Sequence, residues 1–403
     1  MSAQASEPGM RRTKPALRKA LRSVGIGIGA ASLLALPLAG EIRLKRSSQP
    51  LTDAWRHAPV EPRGSTLLGI SFRPPQVAAF GLGARSTLRR LLAYPFQLIR
   101  LGAYWNRIEG APGAFDAQEL DWQVEAAERA GKQIVLCVGA VKTFGYPEFF
   151  VPDHHLAHPL PEHALVRPSV YPSLLAAATE FLTRVVDRYK DRKSIIAWQV
   201  EHESVDPLGV EHSWRLDAAF VEKEVQAARR TDPSRPILMN GFLPASLPVG
   251  LSQWWRTRDQ GDSLTVAQRM ADIVGIDYYP RHALATVGAR TLYLDGSGSP
   301  WQHPRRRQLF AWARRSGRRL MISEGQAEPW ETVTLPPDPR GRGMSSCLPE
   351  HVIENYNRSM SWARQAASPL DAYLFWGAEY WILRQQRGDS RYTGAFARIV
   401  EQA

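Results

Sequence analysis

The chain has 403 residues, of which 44% are hydrophobic and 22% are charged, as in ordinary globular proteins, and it could form one large domain or two. Its formal net charge of +12 would suit a nucleic acid or an anionic surface, but residues 1–46 alone contain nine basic and two acidic residues. The remaining excess of +5 is spread over residues 47–403 and requires no acidic partner. We therefore expect no nucleic-acid partner.

The N-terminal segment has the layout of an export signal. Residues 24–40 contain no charge and follow six basic residues, as in a signal peptide or an N-terminal signal-anchor. Cleavage after Ala39 or Gly40 would place Pro37 or Leu38 at the −3 position, where a small residue is needed. We therefore expect an uncleaved anchor that tethers the chain to a membrane. A cleaved signal peptide is the alternative, and both place the following domain outside the cytoplasm.

Eight short apolar runs follow a Pro-containing linker at residues 47–64. Most are continuous rather than alternating, as expected for parallel strands buried on both faces. Amphipathic stretches of helical period separate them. Eight strands alternating with helices predict an α/β fold, namely a (β/α)8 or TIM barrel over residues 65–403. A doubly wound open sheet would have fewer strands and an early Gly-rich phosphate loop, which the sequence lacks. The eight runs are Leu67–Phe72, Gln97–Leu101, Gln133–Val138, Ile195–Val200, Ile237–Asn240, Ile273–Tyr278, Leu320–Ser323 and Tyr373–Trp376.

Acidic residues end the fourth and the seventh run. Functional side chains of such barrels lie at the carboxyl ends of the strands, where Glu203 and Glu324 are placed. The two strand ends face each other and could hold carboxyl groups about 5–5.5 Å apart, the separation used for glycoside cleavage with retention. That chemistry needs one protonated and one ionised acid. Acids also end strands as solvated loop residues, and strand alternation does not choose between Glu201 and Glu203, which share parity.

Four segments resemble clan A glycoside hydrolases, and in particular family 5, which contains cellulases and mannanases. The resemblance covers roughly residues 67–403, and the four motifs occur in the family's order. They are Leu98-Ile99-Arg100 with Trp105, Trp198-Gln199-Val200-Glu201-His202-Glu203, Leu320-Met321-Ile322-Ser323-Glu324 and Phe375-Trp376-Gly377.

The resemblance implies a role for each matching residue. Glu203 would be the general acid/base, Glu324 the nucleophile, and Arg100 the cation that keeps the nucleophile ionised. The family's use of aromatic and polar side chains around the sugar implies that substrate contacts come from Arg100, Trp105, His202, Asp277, Tyr279 and Trp376. Tyr279 matches the tyrosine that hydrogen-bonds the nucleophile, and Trp376 the tryptophan under the distorted sugar. No cofactor and no metal is implied.

The sequence departs from the family pattern in three places. His202 stands where the family has the Asn that binds the sugar 2-hydroxyl, and Asp277 stands where family 5 often has His. The histidine of strand three is missing, and Val138–Lys142 occupies its region. The substrate is therefore less defined than the acid pair.

Two long loops are expected to shape the cleft, at residues 143–172 and at residues 335–342 with the segment that follows. The first contains Asp153-His154-His155 and His158, which could be read as a metal cluster, although closely spaced histidines in a Pro-rich loop are more often surface residues. Four aromatic residues just beyond strand ends could be sugar platforms or core, namely Tyr104, Trp105, Trp330 and Trp381.

The sequence thus predicts an exported or membrane-tethered enzyme that hydrolyses a β-linked oligo- or polysaccharide with retention and without a cofactor. Two alternatives stay open at this point. One is a transglycosylase that uses the same site to remodel envelope or secreted polysaccharide. The other is a barrel that binds saccharide without catalysis.

Overall fold

A computed structural model describes residues 41–207, 214–333 and 341–403. Eight parallel strands form a closed barrel in which neighbours along the chain are neighbours in space. All eight predicted runs are strands of this barrel, so the TIM-barrel prediction is confirmed and the open sheet is excluded. Numbered in chain order, the barrel strands are β1 (Leu67–Ser71), β2 (Leu98–Gly102), β3 (Gln133–Cys137), β4 (Ile195–Gln199), β5 (Ile237–Phe242), β6 (Ile273–Tyr278), β7 (Arg319–Gln326) and β8 (Ala372–Trp376).

The described residues also contain twelve α-helices, most of which cover the outside of the barrel. Several of them have buried faces spaced by three or four residues, as the helical period requires, namely Ala84–Leu92, Gln118–Arg129, Pro172–Tyr189 and Ala218–Thr231. In chain order the helices are α1 (Pro74–Ala79), α2 (Ala84–Leu92), α3 (Trp105–Ile108), α4 (Gln118–Arg129), α5 (Pro172–Tyr189), α6 (Ala218–Thr231), α7 (Leu247–Thr257), α8 (Ser263–Met270), α9 (Gln302–Ser316), α10 (Pro349–Gln365), α11 (Ala378–Gln386) and α12 (Arg391–Gln402).

The barrel interior changes from apolar to polar towards the carboxyl ends of the strands. Near their amino ends, seven of the strands contribute buried apolar side chains to one inner cluster, for example Leu98, Val135 and Leu238. Two residues further along each strand the side chain points inward again, because alternate residues of a strand share a face. At this second level the inward residues include Arg100 of β2 and Asn240 of β5, so a buried polar layer supports the open end of the barrel.

Short accessory strands attach the polypeptide that precedes the barrel. Ile42–Arg46 pairs antiparallel with Arg290–Asp295, which also pairs with Arg281–Val287, and Ser48–Pro50 pairs with Arg342–Met344. A fourth pair joins Leu165–Val166 to Arg215–Leu216. Part of the segment that we predicted as a linker is therefore hydrogen-bonded to loops of the barrel, because its backbone completes strand edges that would otherwise be unpaired.

Two predicted segments lie outside the described residues: the apolar stretch 24–40 and most of the loop at residues 335–342. No helix in the described ranges is both long and apolar enough to cross a membrane.

Candidate active site

A cavity of about 440 Å³ opens at the carboxyl ends of the barrel strands. Its walls come from strand ends, from the loop after β3, from α7 and from the Arg281–Asp295 hairpin. Both predicted catalytic acids line it. Its other lining residues are Gly145, Tyr146, Glu148, His202, Phe242, Pro248, Val249, Ser252, Tyr279, His282, Ala283, Leu284, Leu294, Trp330 and Trp376.

Glu324 lies near the end of β7 and is held by three side chains. Arg100 donates to Oε1, His202 Nε2 lies 2.9 Å from the same oxygen, and the Tyr279 hydroxyl donates to Oε2. The pairing of β7 with β6 shifts register by one residue just before Glu324, so that Glu324, rather than Ser323, pairs with Asp277. This irregularity turns Ser323 towards the barrel interior while Glu324 reaches the cavity.

These partners determine the ionisation of Glu324. Burial alone would raise its pKa, but the charges of His202 and Arg100 and their hydrogen bonds outweigh burial and lower the pKa to about 2. Glu324 is therefore a carboxylate at neutral pH, and its two oxygens are oriented by fixed donors.

Glu203 meets the opposite environment on the other side of the same cavity. It is buried, and burial together with the negative charges of Asp277, Asp206 and Glu324 raises its pKa well above the usual value. No basic side chain is among the main influences on its pKa. The raised pKa favours the protonated form of Glu203 beside the ionised Glu324, and the chemistry expected from the sequence needs acids in two such unlike environments.

The structure separates Glu203 from its rival Glu201, which does not line the cavity. The carboxylate of Glu201 accepts hydrogen bonds from the backbone N–H groups of Val141 and Lys142, and its backbone lies against Gly139. A Cβ at Gly139 would come within 2.0 Å of the Glu201 nitrogen, so only glycine permits this approach. Glu201 thus connects the loop after β4 to the loop after β3.

The conformation of the loop after β4 depends on the same network. Both Glu201 (φ 57°) and Glu203 (φ 42°) have positive φ, which non-glycine residues adopt only when their surroundings require it. Lys142, which is buried, donates from Nζ to the carbonyl oxygens of Glu203 (2.7 Å) and Asp206 (3.0 Å). The segment Val138–Lys142, which stands in the region of the family's strand-three histidine, therefore holds the loop that carries Glu203 in place.

A chain of buried hydrogen bonds runs beneath the cavity and contains Asp277. Its carboxylate accepts from Asn240 Nδ2 at 2.6 Å and from Ser323 Oγ at 2.7 Å, and Gln199 donates to Asn240 at 3.0 Å. Asp277 was predicted to contact substrate, but it does not line the cavity. Burial, followed by the charge of Glu324, raises its pKa to about 7.

Arg100 is likewise buried below the cavity surface. Its Nε donates to Ser71 Oγ at 2.9 Å while its other end reaches Glu324, and its guanidinium group lies 4.0 Å from the ring centre of Phe144. The structure therefore places Arg100 behind Glu324 and out of direct reach of a ligand in the cavity.

His202 and Trp376 form adjacent parts of the cavity wall. Their rings are nearly parallel, with an interplanar angle of 4° and centroids 6.4 Å apart. The guanidinium group of Arg73 packs on Trp376 at 4.1 Å, and Arg73 is itself paired with Glu328 and Glu379. His202 Nδ1 is buried and has no hydrogen-bond partner among the described residues.

Trp105 is not part of this site, and its prediction as a sugar-binding residue was wrong. It is fully buried, stacks on Phe181 with ring centroids 5.4 Å apart, and donates from Nε1 to Glu109 at 2.7 Å. Tyr104 and Trp381 are also buried outside the cavity lining, so of the four aromatic candidates only Trp330 lines it. A position just beyond a strand end was not enough to tell a core residue from a cavity residue. A short helix begins at Trp105 and turns the Trp105 side chain away from the open end of the barrel.

Sequence reasoning missed several polar wall residues, namely Tyr146, Glu148, Ser252 and His282, and the hairpin that carries His282. His282 packs edge-on against Trp330 (4.6 Å) and Phe242 (5.9 Å), and its Nε2 is buried without a partner among the described residues. Burial lowers its pKa to about 4, so the imidazole is neutral at pH 7. The sequence of Arg281–Asp295 did not indicate a function, because its neighbouring residues do not show which cavity this hairpin borders.

Comparison with known proteins supports a glycosidase as the class of this barrel. The model of glycoside hydrolase family 42, described as β-galactosidase, matches residues 84–222, about a third of the chain. This family is also in clan A, so the predicted resemblance is confirmed at the level of the clan. A search of curated proteins found no match.

Solved structures of glycoside hydrolases share the fold at low sequence identity. A family 5 subfamily 18 protein from Streptomyces cattleya with bound GlcNAc has a TM-score of 0.52 at 14% identity, covering 84% of this chain and 80% of its own. Xylanase 10B from Thermotoga petrophila RKU-1 with xylobiose has 0.51 at 13%, covering 86% and 98%. The β-galactosidase of Bacillus circulans sp. alkalophilus has 0.51 at 15%, covering 83% of this chain and 55% of its own.

Proposed function

We propose that the protein hydrolyses a β-glycosidic bond with retention of configuration, using Glu324 as nucleophile and Glu203 as acid/base. The observation that carries the proposal is the opposite ionisation of two acids that line one cavity. Glu324 is stabilised as an anion by a cation, an imidazole and a phenol, whereas Glu203 is surrounded by negative charge and stays protonated. A non-catalytic binding barrel would have no use for this difference.

In the first step the carboxylate oxygen of Glu324 forms a bond to the anomeric carbon while the bond to the aglycone oxygen breaks. Glu203 gives its proton to that oxygen, so the aglycone leaves as an alcohol. In the second step Glu203, now ionised, removes a proton from water, the water oxygen bonds to the anomeric carbon, and Glu324 is released as a carboxylate. Tyr279 and Arg100 stabilise the Glu324 carboxylate before it attacks and when it is released, because both donate to it.

The cavity wall supports a saccharide as the ligand. His202 and His282 each have one buried ring nitrogen without a hydrogen-bond partner among the described residues. A sugar hydroxyl would supply that partner, and a buried nitrogen left unpaired costs free energy. Trp376 and Trp330 supply aromatic surface beside them. The volume lies within the range of small-ligand sites.

We also propose that the enzyme acts outside the cytoplasm, tethered through residues 24–40. The basic and then apolar layout of the N-terminus supports this. So do exposed apolar side chains on the sheet that begins two residues after this segment, namely Leu44, Leu284 and Val287. Cell fractionation and protease digestion of intact cells test the proposal: recovery of the chain in the cytosolic fraction would contradict it.

The test of the reaction uses the chain from residue 41, since the strand Ile42–Arg46 pairs with the barrel. Aryl β-glycosides and β-linked oligosaccharides are incubated with it, and the first sugar released is followed by NMR of its anomeric proton. A β-anomer that appears first, and is lost in Glu324→Ala, supports retention and the assigned nucleophile. An α-anomer would refute the mechanism. New, longer saccharides without free sugar would show transglycosylation, and binding without turnover would show a binding barrel.

A further inference from the structure

A second cluster of titratable side chains lies outside the cavity, where the loop after β3 meets the segment after α3. His154 and His155 belong to a one-turn helix, Asp153–His155, and both direct Nε2 at the same carboxylate oxygen of Glu109. The distances are 3.2 Å from His154 and 3.0 Å from His155. The three ligand atoms lie within 4.8 Å of one another, and none of the three residues lines the active-site cavity.

We propose that Glu109, His154 and His155 bind one divalent cation, with Zn²⁺ as the ion that best fits two imidazoles and a carboxylate. Zinc bonds of about 2.0–2.2 Å in a tetrahedron place neighbouring ligand atoms roughly 3.2–3.6 Å apart. The two observed separations are within a few tenths of an ångström of this range. An ion could therefore enter with small shifts of side chains that already converge.

The surroundings of the cluster orient its ligands. Trp105 Nε1 donates at 2.7 Å to the other oxygen of Glu109, so Oε1 is the one left to face the histidines. The Trp105 ring also packs against His155, with centroids 4.7 Å apart. Hydrogen bonds of this kind to the second atom of a ligand commonly fix the first shell of metal sites. Trp105, which does not reach the sugar site, thus has a positioning role here.

Exposure leaves room for a fourth ligand from solvent. The side chain of Glu109 is 11% exposed and those of His154 and His155 are each 23% exposed. Two imidazoles, one carboxylate and a water complete a tetrahedron. The ion would tie residues 143–172 to the segment after β2, and this loop supplies Gly145, Tyr146 and Glu148 to the cavity wall. Metal binding would therefore stabilise the loop that shapes the sugar site.

The test uses the full chain, stripped with a chelator, and titrates it with ZnCl2 by calorimetry. One equivalent of Zn²⁺ is expected to bind, and His154→Ala or His155→Ala should weaken binding at least tenfold. His158→Ala is the matched control, because His158 is exposed in the same loop and is outside the cluster, and it should bind like the unmodified chain. The thiols of Cys137 and Cys347 are buried and do not compete.

Two further measurements keep the proposal falsifiable. Co²⁺ substitution should give the strong visible bands of a tetrahedral site in the unmodified chain and in His158→Ala only. If His154→Ala fails to fold, His154→Gln is used, since it keeps a polar side chain of similar size while removing the imidazole. The proposal is overturned if the stripped chain binds no Zn²⁺, or if the two histidine variants bind it as tightly as the control. Both outcomes are independent of glycosidase activity.

Discussion

The replacement Glu203→Gln separates the general acid from the rest of the site. Glutamine has nearly the same size as glutamic acid, and the Glu203 backbone contacts with Lys142 and Asn240 do not involve the side chain. The variant should therefore fold, while the proton needed by the leaving aglycone is lost. Since burial and nearby negative charge keep Glu203 protonated, this proton is the main contribution that the side chain makes to the first step.

The size of the effect should depend on the leaving group. General acid catalysis contributes about 10²–10⁴-fold, or roughly 3–5 kcal/mol of transition-state stabilisation. We expect that loss in kcat/KM for alkyl β-glycosides, whose alkoxides leave poorly. Dinitrophenyl β-glycosides need little protonation, so their first step should be slowed by less than about tenfold. The alkaline limb of the pH profile should also disappear for the activated substrate, because it reports deprotonation of Glu203.

Both substrate classes are assayed by initial rates, with Glu201→Gln as the control. Glu201 accepts two backbone hydrogen bonds outside the cavity, so its variant should lose about 1–3 kcal/mol of stability while keeping the leaving-group dependence of the native enzyme. Equal losses for both substrates in Glu203→Gln would refute the assignment of the acid. A leaving-group dependence found in Glu201→Gln instead would transfer the role to Glu201.

Three further predictions concern the nucleophile, the buried polar layer and the cavity rim. Glu324 must be ionised to react, so activity should persist in acid until the pH nears its pKa of about 2. Tyr279→Phe removes a donor to Glu324, so it should raise that pKa, move the acid limb of the kcat/KM profile to higher pH and lower kcat about 10–100-fold. An acid limb that does not move would contradict the contact. Burial raises the pKa of Asp277 from 3.8 to about 7, so its contribution to stability is fully present below pH 3.8 and is lost as the pH rises through 7. The free energy of unfolding in urea should therefore fall between pH 4 and 8 by up to about 1.4 kcal/mol per pH unit, and by less in Asp277→Asn. The same pH dependence in the variant and in the unmodified chain would refute this. Trp255 is 60% exposed on α7, one helical turn from a cavity residue, so Trp255→Ala should raise KM for longer oligosaccharides and not for aryl glycosides. Trp301 is also exposed and lies immediately before α9, outside the cavity lining, so Trp301→Ala should change neither KM.

The order of hydrophobic runs was enough to predict the barrel. Eight apolar runs separated by helical periods admit few other arrangements, because parallel strands buried on both faces must be covered by helices. The carboxyl ends of those runs then located Glu324 and the neighbouring acids Glu201 and Glu203, since every strand end of a barrel opens on the same face. Only the register of the family motif selected Glu203 from the sequence. Tyr279 and Trp376 were implied by the resemblance to family 5, and both lie in the cavity wall.

Only the tertiary structure decided which polar residues face the ligand. Glu201 and Glu203 share parity in sequence, but positive φ at both positions ends the alternation, and contacts with the loop after β3 bury one and expose the other to the cavity. Trp105 was misplaced because its direction depends on packing against Phe181, which is distant in sequence. The walls formed by His282 and α7, and the convergence of Glu109 with two histidines, likewise arise from segments far apart in the chain. Local patterns specify strands and helices, whereas which side chains meet depends on how the loops between them pack.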